Sequence, residues 1–245
     1  PETREKCRAQ PWCAAVHDSP EAAVADAELV ILCAPVQAIP DLLAQLSAHF
    51  ASGAVVTDVG STKASICEAA HEHLPAHVRF VGSHPMAGSE KTGLEHARAD
   101  LFDGQACILT PTDTSDPAAI DILESFWSRL GMRVGKATPA EHDRIVAAVS
   151  HLPHILASVL CEQLASTDPA WKAFAGKGLR DTTRVAAGDP HLWRQILEDN
   201  SAAVQEALAS FSTTLEAFSK ALVEPDFDQV QASLAAGKTF RDSLG

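Results

Sequence analysis

Short, continuous apolar runs mark the first half of the chain. Three of them, at residues 29–33, 54–57 and 78–81, have the length of strands and lack the alternation of a half-exposed strand. Such unbroken runs are typical of strands buried on both faces of a parallel sheet. We therefore predict three strands here and two more, over residues 105–109 and 133–135.

Amphipathic stretches separate these runs and predict helices. Helical periodicity covers residues 2–10, 37–50, 62–73 and 117–130. Strands that alternate with helices form parallel βαβ units with right-handed crossovers. The first half therefore has the pattern of an α/β domain built on a parallel sheet.

The ends of the predicted strands indicate where a ligand would bind. In open parallel sheets, ligands bind in the crevice beyond the carboxyl ends of the strands. Those ends fall at Ala34 and Pro35, at Gly60 and Ser61, and at His84 on the loop expected after the third strand.

After residue 139 the pattern changes to helices alone. Apolar residues recur every three or four positions along one long helix, at Ile145, Val149, Leu152, Leu156 and Val159. Further helices are predicted over residues 192–200, 202–222 and 226–244. We therefore expect two domains, an α/β domain at residues 1–139 and an all-α domain at residues 140–245.

The long helix also carries a polar face opposite its apolar stripe. At about 100° per residue, Asp143, Ala147, Ser150 and His154 share one narrow face. A solvated surface explains such a face as well as a ligand site does. Pro153 is expected to kink the helix nearby, which favours a site. His151 and His154 make only a weak metal pair without a third ligand, and no metal is expected.

The most basic segment of the chain lies at residues 171–184. It contains two lysines and two arginines, Lys172, Lys177, Arg180 and Arg184. A solvated face paired with acidic neighbours would explain it. In a chain with a formal net charge of −13, however, this segment is also the place where a carboxylate ligand would bind, because arginine offers a planar two-pronged donor.

His84 is a candidate general base. It follows a predicted strand, lies between small residues and a proline, and is expected at the ligand edge of the sheet. Its reference pKa of about 6.5 suits proton transfer near neutrality. A lone histidine is more often structural, so position alone leaves both readings open.

Composition excludes several classes of protein. Apolar residues make up 46% and charged residues 21%, a globular balance. The negative charge argues against nucleic-acid binding. The unbroken apolar runs are too short to cross a membrane, and no signal peptide is visible. Six scattered cysteines without metal spacing are expected to be reduced thiols of a cytoplasmic protein.

Four motifs in this order resemble the family of prephenate dehydrogenases, with the related arogenate and cyclohexadienyl dehydrogenases. They occupy residues 58–63, 82–90, 141–154 and 181–193. The resemblance implies a Rossmann-type dinucleotide-binding domain followed by an all-α dimerisation domain. It implies an oxidoreductase that uses NAD or NADP to convert prephenate to 4-hydroxyphenylpyruvate in tyrosine biosynthesis, working as a homodimer.

The resemblance also implies a role for each matching residue. His84 would be the general base, and Ser61 would lie between His84 and the nicotinamide. Arg184 would bind a substrate carboxylate. The remaining substrate contacts would be His154, Ser150, Trp193, Glu90 and Asp143, the last two at the pocket entrance. The cofactor contacts would be Ala34, Pro35, Val36 and Ser61.

One departure from the family is plain, since no GxGxxG sequence occurs in these residues. That loop cradles the pyrophosphate in dinucleotide-binding domains. Because the chain starts at Pro1, where the family's second strand should have ended, we expect a preceding segment in the natural protein. Alternatives are an arogenate dehydrogenase, or a catalytically silent protein that binds tyrosine or prephenate. Feedback inhibition by tyrosine is a further expectation.

Overall fold

Strands occupy the first part of the chain and helices the second, as predicted. The structure is a computed structural model that describes residues 2–88 and 93–244. Within them the strands are β1 (Leu29–Leu32), β2 (Val55–Asp58), β3 (Arg79–Phe80), β4 (Gly82–Pro85), β5 (Ala106–Thr110) and β6 (Arg133–Lys136). Each predicted strand is present, and all six precede residue 139 in the described part of the chain.

The helices fall between and after these strands. Those of the first half are α1 (Glu2–Arg8), α2 (Pro20–Val24), α3 (Ile39–Leu46), α4 (Ala64–His73) and α5 (Pro117–Arg129). Those of the second half are α6 (Pro139–Val146), α7 (Leu152–Ala165), α8 (Lys177–Thr183), α9 (Pro190–Asp199), α10 (Ser201–Val223) and α11 (Phe227–Ser243). A π-helical turn, Ala147–His151, joins α6 to α7.

Strand pairing follows the parallel expectation with one exception. β1, β2 and β3 are parallel in that order, and β6 is parallel to β5. β4, however, runs antiparallel to β5, with His84 opposite Ile108. The prediction of a loop at His84 was therefore wrong. The segment between β4 and β5 contains no crossover helix among its described residues, and an antiparallel pair needs none.

The strands form two three-stranded sheets, in the orders β1-β2-β3 and β4-β5-β6, and two apolar clusters pack against them. The first lies among β1, α3 and α4, and the second lies among β5, β6 and α5 around Trp127. Val55 and Val56 belong to different clusters because successive side chains of a strand point to opposite faces. The two clusters hold the strands and so fix the positions of the strand ends near which the candidate residues lie.

The run from α6 to α7 begins with a capping box. The hydroxyl of Thr138 accepts the backbone N–H of Glu141 at 3.2 Å, and the Glu141 carboxylate accepts the backbone N–H of Thr138 at 2.9 Å. The predicted irregularity near Pro153 takes the form of the preceding π turn. Pro153 lies in the first turn of α7, where a missing N–H is tolerated.

In this run polar side chains are buried and several apolar ones are exposed, the reverse of an ordinary surface helix. Its polar residues His142, Asp143, His151 and His154 are buried. Val149, in the predicted apolar stripe, is 61% exposed. Ile145 and Val159 are exposed as well, so much of the stripe is left uncovered by the described residues.

By length and composition, the run Pro139–Ala165 could also cross a membrane. It has 27 residues, and an 18-residue stretch within it has a mean hydropathy of 1.5. The run Pro139–Ala165 is not an unbroken apolar stretch, because polar residues interrupt its sequence. Those polar side chains bind other parts of the same chain, so we interpret the run as a packing helix with one apolar face left for a partner.

Candidate active site

His84 lies on β4 and is hydrogen-bonded to a second histidine. Its Nδ1 is 2.8 Å from Nε2 of His142, which comes from α6 in the helical half. The two rings are tilted by 59°, with centroids 5.0 Å apart. Both side chains are buried. The contact therefore joins the sheet edge to the first helix of the second half.

Asp143 continues this contact on the far side of His142. Its Oδ1 accepts a hydrogen bond from Nδ1 of His142 at 2.7 Å. The same carboxylate accepts the backbone N–H groups of Lys63 at 2.8 Å and Ala64 at 2.9 Å, where α4 begins. Burial raises the pKa of Asp143, but these hydrogen bonds outweigh it and hold the pKa below its usual value.

This placement corrects the role expected for Asp143. A residue at the pocket entrance should present its carboxylate to solvent or to the substrate. Asp143 is instead buried, and both of its oxygens are bound by the protein. The sequence could not show this, because the backbone groups that bind Asp143, those of Lys63 and Ala64, lie about 80 positions away along the chain.

His84 is held in its neutral form. Burial lowers its pKa well below the usual 6.5, and the neighbouring His142, Lys63 and His151 lower it further. A neutral imidazole has one nitrogen with a free lone pair. His84 can therefore accept a proton at neutral pH.

The motif at residues 58–63 shapes the loop beside His84. Asp58 forms a fully buried ion pair with Lys63 and accepts the backbone N–H of Gly60 at 2.7 Å. Gly60 allows this fold of the loop, because a Cβ there would lie 2.7 Å from Cδ1 of Ile66. Ser61 lies half-buried in the middle of this braced loop.

The expected cofactor residues lie at the same edge of the sheet. Ala34 is half-buried and Pro35 is exposed, so small groups cover the end of β1. Val36 is buried in the first apolar cluster, and only its backbone is available to a cofactor. Next to Ser61, the hydroxyl of Thr62 is buried and has no hydrogen-bond partner among the described residues. These features fit a flat, polar group such as a nicotinamide.

A second cluster surrounds Trp193 in the helical half. His154 stacks on the Trp193 indole, and His151 meets the indole edge-on at 5.9 Å. Nδ1 of His154 is buried without a well-formed hydrogen bond to any residue in the described ranges. A largely apolar groove of about 800 Å³ opens beside the stack, next to Ser158. Two of the expected substrate residues, His154 and Trp193, therefore lie in direct contact.

Asn200, at the start of α10, connects the two clusters. Its amide Nδ2 donates to the backbone carbonyl of Asp143 at 2.8 Å and to Nδ1 of His151 at 3.3 Å. His151, which the sequence offered only as half of a weak metal pair, is a structural member of this network. Across residues 2–88 and 93–244, no group of three or more metal-binding side chains is placed to hold a metal ion.

Of three further expected substrate residues, Arg184 and Ser150 lie in the described part of the chain and Glu90 does not. Arg184 lies on a 3-10 turn, Arg184–Ala187, that packs against α7. Arg184 is exposed and forms no ion pair with an acidic residue in the described part of the chain. Ser150 is half-buried in the π turn. Glu90 lies outside the described residues.

Sequence reasoning missed most of the groups that support His84. They are Asp58, Lys63, His142, His151 and Asn200. A partial signal existed, because His142 immediately precedes Asp143, which lies on the helix face opposite the apolar stripe. Their pairing depends on contacts between distant parts of the chain.

Two family models together match nearly all of the chain. They are "Prephenate dehydrogenase, nucleotide-binding domain" over residues 2–136 and "Prephenate dehydrogenase, dimerization domain" over residues 138–236. Cyclohexadienyl dehydrogenase of Zymomonas mobilis is 34% identical over 230 residues, covering 92% of this chain and 78% of that protein. Prephenate dehydrogenase of Bacillus subtilis is 32% identical, and the match covers 93% of this chain and 62% of that protein.

Solved structures agree with these matches. Prephenate dehydrogenase from Aquifex aeolicus, in complex with hydroxyphenyl propionate and NAD⁺, has a TM-score of 0.82 and 31% identity, covering 89% of this chain and 77% of that one. Arogenate dehydrogenase from Synechocystis has a TM-score of 0.81 and 30% identity, covering 92% and 82%.

Proposed function

Because the chain belongs to the prephenate dehydrogenase family, we propose that it catalyses the NAD(P)-dependent oxidative decarboxylation of prephenate. The product is 4-hydroxyphenylpyruvate, a precursor of tyrosine. The observation that carries this proposal is the buried, neutral His84 at the ligand edge of the sheet, hydrogen-bonded to His142. A base in that position suits a substrate that must lose a hydroxyl proton as it is oxidised.

In the proposed reaction, His84 accepts the proton of the ring hydroxyl. As the hydride leaves, the oxygen becomes a carbonyl. The bond to the ring carboxylate then breaks, CO2 leaves, and the electron pair of that bond moves through the ring to the oxygen. The oxygen takes the proton back from His84 and becomes the hydroxyl of the aromatic product. A bound NAD(P) supplies the acceptor for the hydride that leaves the hydroxyl-bearing carbon. Ser61, in the loop beside His84, would orient the hydroxyl. General base catalysis of this kind contributes typically about 10²–10⁴-fold to a rate.

The residues proposed to hold the nicotinamide end of the cofactor are Ala34, Pro35, the backbone of Val36, and Ser61. They lie at the carboxyl ends of β1 and β2, the edge where sheets of this type bind dinucleotides. Both NAD and NADP are proposed for testing.

Substrate recognition is proposed for the helical half. Arg184 offers an exposed cationic fork in a chain of net charge −13, which suits a substrate with two carboxylates. His154, stacked on Trp193, has a buried nitrogen available for a polar ligand, and Ser150 lies nearby in sequence on the same helical run. Glu90 remains a proposed entrance residue. Asp143 is not proposed as a substrate contact.

Arogenate is the second candidate substrate. It differs from prephenate by an amine in place of the side-chain keto group, and a relative with 30% identity carries the name arogenate dehydrogenase. The chemistry at the ring would be unchanged, so His84 would act in the same way.

Assembly and location complete the proposal. The chain carries the family's dimerization domain, and we propose a homodimer through the exposed apolar faces of the helices. We also propose that the boundary between the two domains lies near residue 139. We propose in addition that the protein is cytoplasmic and is inhibited by tyrosine. All six cysteines are free thiols.

The proposal is tested with the full natural protein. It is incubated with prephenate or arogenate and with NAD or NADP, while reduced nicotinamide and released CO2 are measured together. Equal amounts of both products, with one substrate preferred, are expected. Tyrosine binding by calorimetry without any turnover would instead identify a silent binding protein and overturn the proposal.

A further inference from the structure

We propose that His142 and Asp143 are positioning residues for the reaction and act through His84. Their task is to hold the His84 imidazole in the tautomer whose Nε2 is unprotonated. This inference rests on the proposed function, because it assigns the groups that prepare the base. The carrying observation is the continuous hydrogen-bonded series from the sheet edge to the start of α4.

The direction of the series is set at Asp143. An ionised carboxylate can only accept hydrogen bonds. Its oxygens already accept the N–H groups of Lys63 and Ala64, so the third contact, with Nδ1 of His142, must also be donated to it. His142 therefore carries a proton on Nδ1.

The next contact then follows from the chemistry of imidazole. A neutral His142 with a proton on Nδ1 has a lone pair on Nε2, so Nδ1 of His84 must donate across the 2.8 Å contact. The proton of a neutral His84 is thereby placed on Nδ1, and its Nε2 keeps the lone pair that a base needs. A cationic His142 would reverse this, but that side chain is fully buried and shares its single carboxylate with two other donors.

The series is anchored to both halves of the protein. Asp143 binds the first backbone groups of α4, where the helix dipole favours a negative charge. Asn200 holds the backbone of Asp143 from α10. The helical half thus sets the protonation pattern of a base that belongs to the sheet. After His84 accepts a proton, the nearby carboxylate stabilises the resulting cation.

Asp143→Asn is the informative substitution. If the new amide oxygen takes the position of Oδ2 and keeps the N–H of Ala64, the NH2 takes the position of Oδ1 and loses the N–H of Lys63. The NH2 then faces Nδ1 of His142 and reverses every donor in the series. His84 would then carry its proton on Nε2 and could not act as a base. We expect kcat to fall by about 10²–10⁴ while KM changes by less than about threefold. Long-range ¹⁵N–¹H NMR should show the His84 proton on Nδ1 in the wild type and on Nε2 in the variant.

Coupling to His84 separates positioning from a merely structural role. In a His84→Asn background, Asp143→Asn is expected to lower the remaining kcat by less than about threefold, because the group it serves is absent. The matched control is Asp199→Asn. Asp199 accepts the hydroxyl of Ser65 at 2.9 Å and so also binds α4, but it does not contact the series. Its kcat should equal that of the wild type.

His142→Gln provides a second route if Asp143→Asn does not fold. Glutamine keeps an oxygen that can accept from Nδ1 of His84 but loses the ring that Asp143 orients, so an intermediate loss of kcat is expected, again absent in the His84→Asn background. Equal losses in both backgrounds, or a wild-type His84 protonated on Nε2, would overturn the inference. If the wild type turns over no substrate, the proposed function fails, whereas the NMR result still reports the tautomer.

Discussion

The imidazole of His154 lies flat on the indole of Trp193, with ring centroids 3.5 Å apart and planes inclined by 10°. Gly188 closes this stack from below. A Cβ at position 188 would lie 2.5 Å from Nε1 of Trp193 and 3.2 Å from Cε1 of His154. The backbone angles of Gly188 suit any residue, with φ −63° and ψ 153°. Glycine is therefore required at position 188 because there is no room for a Cβ, and not because of the backbone conformation.

Gly188→Ala is expected to displace the stack. Overpacking of this kind costs typically about 1–3 kcal/mol, and we expect a lower Tm together with a raised KM for prephenate. The matched control is Gly135→Ala on β6, where a Cβ would meet no atom within 4 Å. Thermal melts and steady-state kinetics of both variants provide the check. An unchanged KM in Gly188→Ala would show that the stack does not contribute to substrate binding.

His84→Asn is expected to fold and bind substrate but to turn over slowly. Asparagine can donate to the ring hydroxyl but cannot accept its proton, so kcat should fall by roughly 10²–10⁴. Because burial lowers the pKa of His84 well below 6.5, the wild-type kcat should stay constant through neutrality and decline only in more acidic solution. That decline should be absent in the variant. A variant with wild-type kcat would falsify the base assignment.

Arg184→Ala is expected to weaken substrate binding more than turnover. Losing one partner of a charged hydrogen-bonded pair costs on the order of 2–5 kcal/mol. The control is Arg184→Lys, which keeps the charge but loses the planar fork and should give an intermediate KM. Steady-state kinetics with prephenate, giving KM and kcat for each variant, test this prediction. A KM within about twofold of the wild type in Arg184→Ala would remove this residue from the site.

Stability should decrease in acid because of His151. Burial lowers the pKa of His151 from 6.5 to about 4, so between these values the unfolded state binds a proton that the folded state does not. The contribution of neutral His151 to the free energy of unfolding is therefore fully present above pH 6.5 and is lost as pH falls towards about 4. The total loss is on the order of 3 kcal/mol.

Urea unfolding across this pH range tests the effect of His151. His151→Asn keeps an acceptor for Asn200 and should flatten the pH dependence by about one proton, whatever its stability at neutral pH. The control is His17→Asn in an exposed loop, for which no flattening is expected. An identical slope in the wild type and His151→Asn would contradict the assignment.

Val149→Glu should separate the two subunits of the proposed homodimer. The side chain of Val149 is 61% exposed in the single chain, within the apolar stripe of the α6–α7 run. Burying a carboxylate there without a partner is strongly unfavourable. Analytical ultracentrifugation should show monomers for this variant and dimers for the wild type. Ile122→Glu on α5, also exposed, is the control and should remain dimeric. A dimeric Val149→Glu would place the interface elsewhere.

Much of the candidate site was visible as single residues in the sequence. His84, Arg184, His154 and Trp193 were chosen from motif order and from their positions at strand ends or on helix faces. The resemblance to a known family supplied the roles. Asp143 shows the limit of this approach, because the motif identified the residue while its expected contact with the substrate was replaced by contacts with His142 and α4.

The sequence by itself determined the order of strands and helices, because apolar periodicity depends on residues close together along the chain. It also determined the family and the candidate base. Only the tertiary structure decided that β4 pairs antiparallel with β5, that Lys63 is buried against Asp58, and that His142 stands between His84 and Asp143. Each of these depends on which distant segments meet in space, and hydrogen bonds across that distance leave no periodic signal in a single sequence.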